Sequence, residues 1–146
     1  MQLPIPDFNQ PIALFLDVDG TLLEFCDSPD DVYPGLELNI ILRSLSSLLE
    51  GAMALITGRK ILEIDRMFHP LQLPVGGQHG LEHRDAEGNF KLVKNLKFPK
   101  NIRSQIQCFG EMHPDCAIED KGLTMAIHYR RIPKLEKKVL KFVNRL

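Results

Sequence analysis

Cysteine is scarce in this 146-residue chain, with Cys26, Cys108 and Cys116 as its three examples and no C-x-x-C pair among them. That excludes a disulfide-stapled scaffold. No apolar run approaches the roughly 20 residues a membrane-spanning helix needs. The first Lys or Arg is Arg43, so the basic start of a secretory leader is missing. An odd thiol count without an export signal leads us to expect reduced cysteines and a cytoplasmic location. There is no internal repeat and no low-complexity tract. His69, His83 and His113 show no metal-ligand spacing and are expected on the surface. What remains is ordinary: 44% hydrophobic and 25% charged residues, which excludes a disordered tail or a collagen-like repeat. The length suits one domain, or a small domain with an appendage. Such a chain buries about two-thirds of its unfolded surface, enough for an independent core.

The net charge of −1 hides a split. Residues 1–82 hold four Lys/Arg against twelve Asp/Glu, a balance of −8, and residues 83–146 hold fourteen against seven, a balance of +7. Two readings stand side by side: the solvated faces of two subdomains, or an acidic cation site facing a basic, anion-attracting unit. Neither half suggests a nucleic acid or a membrane as partner.

Patterning supports two units. Pro4, Pro6 and Pro11 make an extended arm of residues 1–11. Ile12-Ala13-Leu14-Phe15-Leu16 is a short apolar run ending at Asp17-Val18-Asp19-Gly20-Thr21, the pattern of a buried parallel strand. Residues 24–35, rich in Pro and Asp, form a loop. Leu38, Ile41, Leu42, Leu45, Leu48 and Leu49 recur with helical spacing until Gly51. Ala52-Met53-Ala54-Leu55-Ile56 is a second buried strand, ending at Thr57-Gly58-Arg59. A short helix over about 60–68 is closed by Pro70 and Pro74, and Val75-Gly76-Gly77 makes a third strand. The order β-α-β-α-β implies parallel strands with right-handed crossovers. Ligands then sit beyond the carboxyl ends of the strands, where Asp17, Asp19, Thr57 and Gly77-Gln78-His79 fall. After Glu82 come a hairpin turn around Gly88-Asn89, a helix with Ile102, Ile106, Phe109 and His113 on one face, and a half-exposed strand over 123–130. A last helix shows Leu135, Val139, Phe142, Val143 and Leu146. The expected domains are a core over 1–82 and a small α+β unit over 83–146.

Asp17-x-Asp19-Gly20-Thr21 is the strongest chemical signal. Chance would produce such a string on the order of once per thousand chains of this size. One carboxylate suits a nucleophile that becomes an aspartyl-phosphate. The second suits an acid that protonates the leaving oxygen and then activates water, and Gly20 permits the sharp turn. Paired carboxylates beside a phosphate call for a hard cation, and oxygen ligands favour Mg²⁺. The bland alternative is an Asx-type turn closing a strand. Thr57-Gly58-Arg59 offers a hydroxyl and amides to a phosphate oxygen, or else a plain Thr helix cap.

These residues resemble the haloacid dehalogenase-like phosphatase superfamily, and within it the trehalose-6-phosphate phosphatase family. The resemblance rests on Phe15-Leu16-Asp17-Val18-Asp19-Gly20-Thr21-Leu22, on Ala54-Leu55-Ile56-Thr57-Gly58-Arg59, on Gly77-Gln78-His79-Gly80-Leu81-Glu82, and on the stretch from Glu119-Asp120-Lys121-Gly122 to Ala126-Ile127-His128-Tyr129-Arg130. It runs from about residue 12 to 133. It implies an α/β fold: a Rossmann-like parallel-sheet core with an inserted α+β cap, here incomplete, that closes over the site and holds the sugar. It implies hydrolysis of trehalose 6-phosphate to trehalose and phosphate in trehalose biosynthesis. Asp17 would be nucleophile, Asp19 acid/base, and both would belong to the Mg²⁺ site, the latter through its carbonyl. Thr57, Gly58 and Arg59 would bind phosphate, and His79, Gly80, Glu82, Glu119, Lys121, His128 and Arg130 substrate. The alternatives are another sugar phosphatase, or a non-catalytic remnant that binds a partner.

The resemblance also implies a third-motif Lys and a fourth motif of the form G-D-D-x-x-D, both beyond the cap. No G-D-D string occurs in this sequence. The expectations are therefore weak metal binding, activity far below intact relatives, a first strand left as an open sheet edge and apolar helix faces left exposed. Intact relatives are expected to be monomers; self-association is possible for this chain.

Overall fold

The computed structural model describes residues 7, 10–24, 33–94 and 96–146. Most of the proline arm, most of the expected loop over 24–35, and Cys26 lie outside the described residues. The chain divides into two compact units, Met1–Leu92 and Val93–Leu146.

The first unit carries a five-stranded sheet in the order β1-β2-β3-β4-β5. Its strands are β1 (Leu14–Asp17), β2 (Met53–Ile56), β3 (Val75–Gly77), β4 (Glu82–Arg84) and β5 (Phe90–Leu92). β1 pairs parallel with β2, placing Asp17 opposite Ile56, and β2 pairs parallel with β3. The expected β-α-β-α-β order therefore holds, with α1 (Leu36–Leu48) and α2 (Ile61–Met67) as the crossovers. The hairpin around Gly88 differs from expectation in its place. β4 returns antiparallel along β3, pairing Gly77 with Glu82 and Val75 with Arg84, so the hairpin extends the core sheet. The break between units thus falls after Leu92, later than the charge switch at Glu82.

Packing is one-sided. Leu55, Met53, Val75, Leu42, Ile64 and Phe68 form the core, with Leu14, Leu16, Leu38, Leu45 and Leu49 against it. The opposite sheet face shows Phe15 at 68% and Ile56 at 44% exposure. The two-sided apolar runs had implied burial on both faces; among the described residues only the α1/α2 side is covered. β1 stands at the sheet edge, as expected. In α1, Leu38, Leu42, Leu45 and Leu49 follow the 3.6-residue period inward. Ile41 and Leu48 fall on its shoulder and stay exposed. No helix among the described residues is long and apolar enough to cross a membrane.

The second unit holds α3 (Lys100–Met112), a hairpin of β6 (Ala117–Asp120) and β7 (Met125–His128), and α4 (Glu136–Val143). Phe109, Cys116 and Val139 are its buried centre, with Ile127, Tyr129, Leu135 and Phe142 around them. Phe109 stacks on Phe142 at 4.3 Å and meets the His113 ring at 4.6 Å. His113 is thus half-buried, whereas His69 and His83 are exposed. Burial pushes the Cys116 thiol up from its ordinary value, and the neighbouring Asp115 charge adds to this. The expected strand over 123–130 is shorter: Arg130 lies beyond β7 in a turn.

Gly110 in α3 is there for contact. A Cβ at this position would stand 2.5 Å from Cγ1 of Ile118 in β6, and a β-branched neighbour has little rotamer freedom to retreat. Gly110→Ala gains about 1 kcal/mol of helix propensity, yet overpacking costs about 1–3 kcal/mol. The variant is expected to melt at a lower temperature than the parent in a calorimetric scan. An unchanged or higher melting temperature would mean that Ile118 swings aside.

Candidate phosphate site

Three strand ends build the site in the first unit. β1 stops at Asp17 because Val18 turns the chain: the amides of Leu22 and Leu23 donate to the Val18 carbonyl at 3.0 and 2.9 Å, and Gly20 N–H returns to the Leu23 carbonyl at 2.7 Å. Gly20 sits at φ +89°, a conformation that a side chain disfavours. This turn leaves the Asp17 side chain exposed at the strand end, with the Thr21 hydroxyl 3.5 Å from its Oδ2.

Asp19 points to the next loop. Arg59 Nε lies 2.9 Å from its Oδ2 and Nη2 lies 2.6 Å from its Oδ1, a two-pronged ion pair. Thr57 and Arg59 are both buried. The Thr57 hydroxyl accepts the Arg59 N–H at 3.1 Å. Helix α2 begins only at Ile61, with Lys60 before it. Thr57 is therefore not the cap of that helix; its hydroxyl shapes the loop instead. At the end of β3, a 3-10 turn over Gln78–Gly80 brings His79 and Gly80 to the surface, while Gln78 is buried. Glu82 turns inward: its Oε2 accepts the Ile61 N–H at 2.7 Å and its Oε1 accepts from Gln78 Nε2 at 2.5 Å.

The structure thus brings Asp17, Asp19, Thr57, Gly58, Arg59 and His79 to one end of the sheet. The anion-binding features are Arg59 and the loop amides; the cation-binding features are two carboxylates. No group of three or more His, Cys, Asp or Glu is placed to hold a metal among the described residues. Mg²⁺ commonly binds through one or two carboxylates, waters and substrate phosphate oxygens. This donor set fits an ion held in that shared way, and falls short of one that holds it unaided.

In the second unit a polar cluster forms across the β6–β7 hairpin. Glu119 Oε2 lies 2.9 Å from His128 Nε2, and its Oε1 lies 3.5 Å from Lys121 Nζ. Asp120 is held by Arg103 and accepts the Gly122 N–H at 2.8 Å, fixing the turn that presents Lys121. Glu119, Lys121 and His128 meet in this cluster; Arg130 lies past the strand, in a turn. Sequence reasoning placed Gln78 at the strand end but missed its burial, which nothing in Gly-Gly-Gln-His-Gly announces. It also missed Arg84, which reads as a surface residue of a charged hairpin.

Comparison with known proteins adds a second line. The sequence signature of a family described as trehalose-phosphatase matches residues 15–143. A probable trehalose-phosphate phosphatase of Sinorhizobium fredii (strain NBRC 101917 / NGR234) is 38% identical over 121 residues, covering 83% of this chain and 46% of the relative. Trehalose-6-phosphate phosphatase of Escherichia coli (strain K12) is 32% identical over 142 residues, covering 97% of this chain and 53% of the relative. The solved C-terminal domain of C. albicans trehalose-6-phosphate phosphatase superposes with a TM-score of 0.82 at 24% identity, over 94% of this chain and 50% of that one. That last likeness speaks to the fold, and the expected α/β architecture is met. The chain spans about half the length of the relatives it matches.

Proposed function

Because this chain belongs to the trehalose-phosphatase family, we propose that its first unit carries the phosphoryl-transfer centre for trehalose 6-phosphate. Asp17 attacks phosphorus and forms an acyl phosphate as the ester P–O bond breaks. Asp19, released from Arg59 and protonated from solvent, gives its proton to the departing sugar oxygen. It then takes a proton from the water that releases inorganic phosphate and restores Asp17. Thr57, Gly58 and Arg59 receive the phosphate oxygens. The guanidinium fork that now grips Asp19 matches a phosphate equally well, so the incoming dianion competes for Arg59 and frees Asp19. A Mg²⁺ ion held by Asp17 and the Asp19 carbonyl would supply charge neutralisation between nucleophile and phosphate. In the second unit, Glu119, Lys121 and His128 present an acceptor and donors suited to sugar hydroxyls.

The observation that carries this reading is the register: Asp17 ends β1 directly beside the strand that delivers Thr57 and Arg59. A panel of sugar phosphates with Mg²⁺ and a colorimetric phosphate assay tests it. Trehalose 6-phosphate is expected to be preferred over glucose 6-phosphate and fructose 6-phosphate. Equal rates on all three would favour a general sugar phosphatase instead.

A further inference from the structure

The contacts at the end of β3 form a chain that leads back to the phosphate loop. Gln78 and His79 both adopt left-handed backbone, at φ +46° and +56°, a conformation uncommon for residues with side chains. The turn is tied to the neighbouring loop, with Gln78 N–H donating to the Arg59 carbonyl at 2.8 Å and His79 N–H to the Thr57 carbonyl at 3.1 Å. The Gln78 side chain is buried, and its Oε1 has no hydrogen-bond partner among the described residues. Its Nε2 therefore depends on Glu82 Oε1. The other Glu82 oxygen holds the first amide of α2. As a result the His79 imidazole lies against Gly58: a Cβ there would stand 2.7 Å from Cε1 and 2.8 Å from Nε2 of the ring.

We propose that Glu82 is a positioning residue rather than a sugar contact. Its carboxylate locks the Gln78–His79 turn to the start of α2. Through that turn it sets His79 over Gly58 and holds the Thr57–Arg59 loop in its receiving shape. The proposal rests on reading that loop as a phosphate site. A carboxylate suits the role because it offers two acceptors and no donor to a backbone N–H and a side-chain N–H. An alanine leaves a strained turn over a buried amide without its partner.

Proton–nitrogen and proton–carbon correlation spectra of the full chain test this, with inorganic phosphate as the probe. In the parent, the ring of His79 is expected to shift the Gly58 α protons, and phosphate to move the Thr57 and Arg59 amides. Glu82→Ala is expected to lose the Gly58 shift and to weaken phosphate binding about tenfold or more, the scale on which small misplacements act. Glu82→Gln, which keeps one acceptor for the Ile61 amide, is expected to recover most of the affinity. His79→Ala should remove the Gly58 shift while leaving the Ile61 amide in place, which orders the chain of contacts. Unmoved Gly58 signals in Glu82→Ala would overturn the proposal. Should that variant not fold, Gln78 side-chain amide signals unmoved in Glu82→Gln, whose own NH2 cannot accept from them, would overturn it equally. A parent chain blind to phosphate would sink the phosphate-site reading; the Gly58 signal then decides the positioning role alone.

Discussion

Trehalose 6-phosphate incubated with this 146-residue chain and Mg²⁺ is expected to release phosphate at least about a thousandfold more slowly than with the E. coli relative. Asp17→Asn is expected to abolish the turnover that remains. The slow rate follows from charge. Phosphoryl transfer leaves the protein little covalent work, so positioning and electrostatic stabilisation dominate. Removing one stabilising group typically costs about 10²–10³ in rate, and two are at issue here. Among the described residues the first unit brings the carboxylates of Asp17 and Asp19 to the site, and no third metal-ligating side chain joins them. No G-D-D string stands anywhere in the sequence. Lys121 belongs to the other unit, where it pairs with Glu119. Asp17→Asn removes the nucleophile itself, and an amide does not replace a carboxylate in forming an acyl phosphate. The two proteins would be compared at equal concentration by the phosphate assay. Turnover matching the E. coli relative would refute the electrostatic argument, and phosphate release surviving in Asp17→Asn would remove Asp17 from the nucleophile's role.

How much of the fold and the site is legible in the sequence depends on whether the cause is local. β1, β2 and β3 announce themselves because short apolar runs end in turn-forming residues, and the parallel register then puts Asp17 beside Thr57 without further information. The Asp19–Arg59 pair is half legible. Both residues stand in recognisable motifs, but that one grips the other is a matter of side-chain reach. Thr57 looks like a helix cap because a hydroxyl precedes an apolar helix; the helix starts later, at Ile61, and the hydroxyl serves its own loop. Beyond Glu82, the hairpin that ends at Leu92 reads, by composition, as part of the second unit. Its polar, charged texture is like that of residues 93–146, while its backbone hydrogen bonds go to β3. Composition tracks solvent exposure, and β5 is exposed throughout; strand pairing is decided by neighbours that composition does not see. The same blindness covers Gln78 and Arg84, polar residues whose burial is set by partners distant in sequence.

Arg84→Met is expected to destabilise the first unit by about 3 kcal/mol, a large share of the roughly 5–15 kcal/mol that holds a domain folded. Arg84 lies at the end of β4 and is 8% exposed. Its Nε and Nη2 donate to the Leu73 carbonyl at 3.1 and 2.9 Å. Its Nη1 donates to Asp65 Oδ2 at 2.8 Å and lies 2.7 Å from Oδ1. One side chain thus ties β4 to α2 and to the segment entering β3. Methionine fills similar volume but leaves a carbonyl and a carboxylate without their donor. Breaking a buried pair from one side costs about 3–5 kcal/mol. The lower end applies because the Asp65 side chain is 29% exposed and regains some water. Arg84→Lys keeps the charge but loses the planar fork, so it should recover only part of the loss. Asp65→Asn should cost less than Arg84→Met, since Leu73 keeps both of its bonds. In urea titrations the Arg84→Met midpoint should fall by about 1–2 M. A shift within experimental error would mean that β4 is held by backbone pairing to β3 and β5 alone, and that the Arg84 contacts are incidental to it.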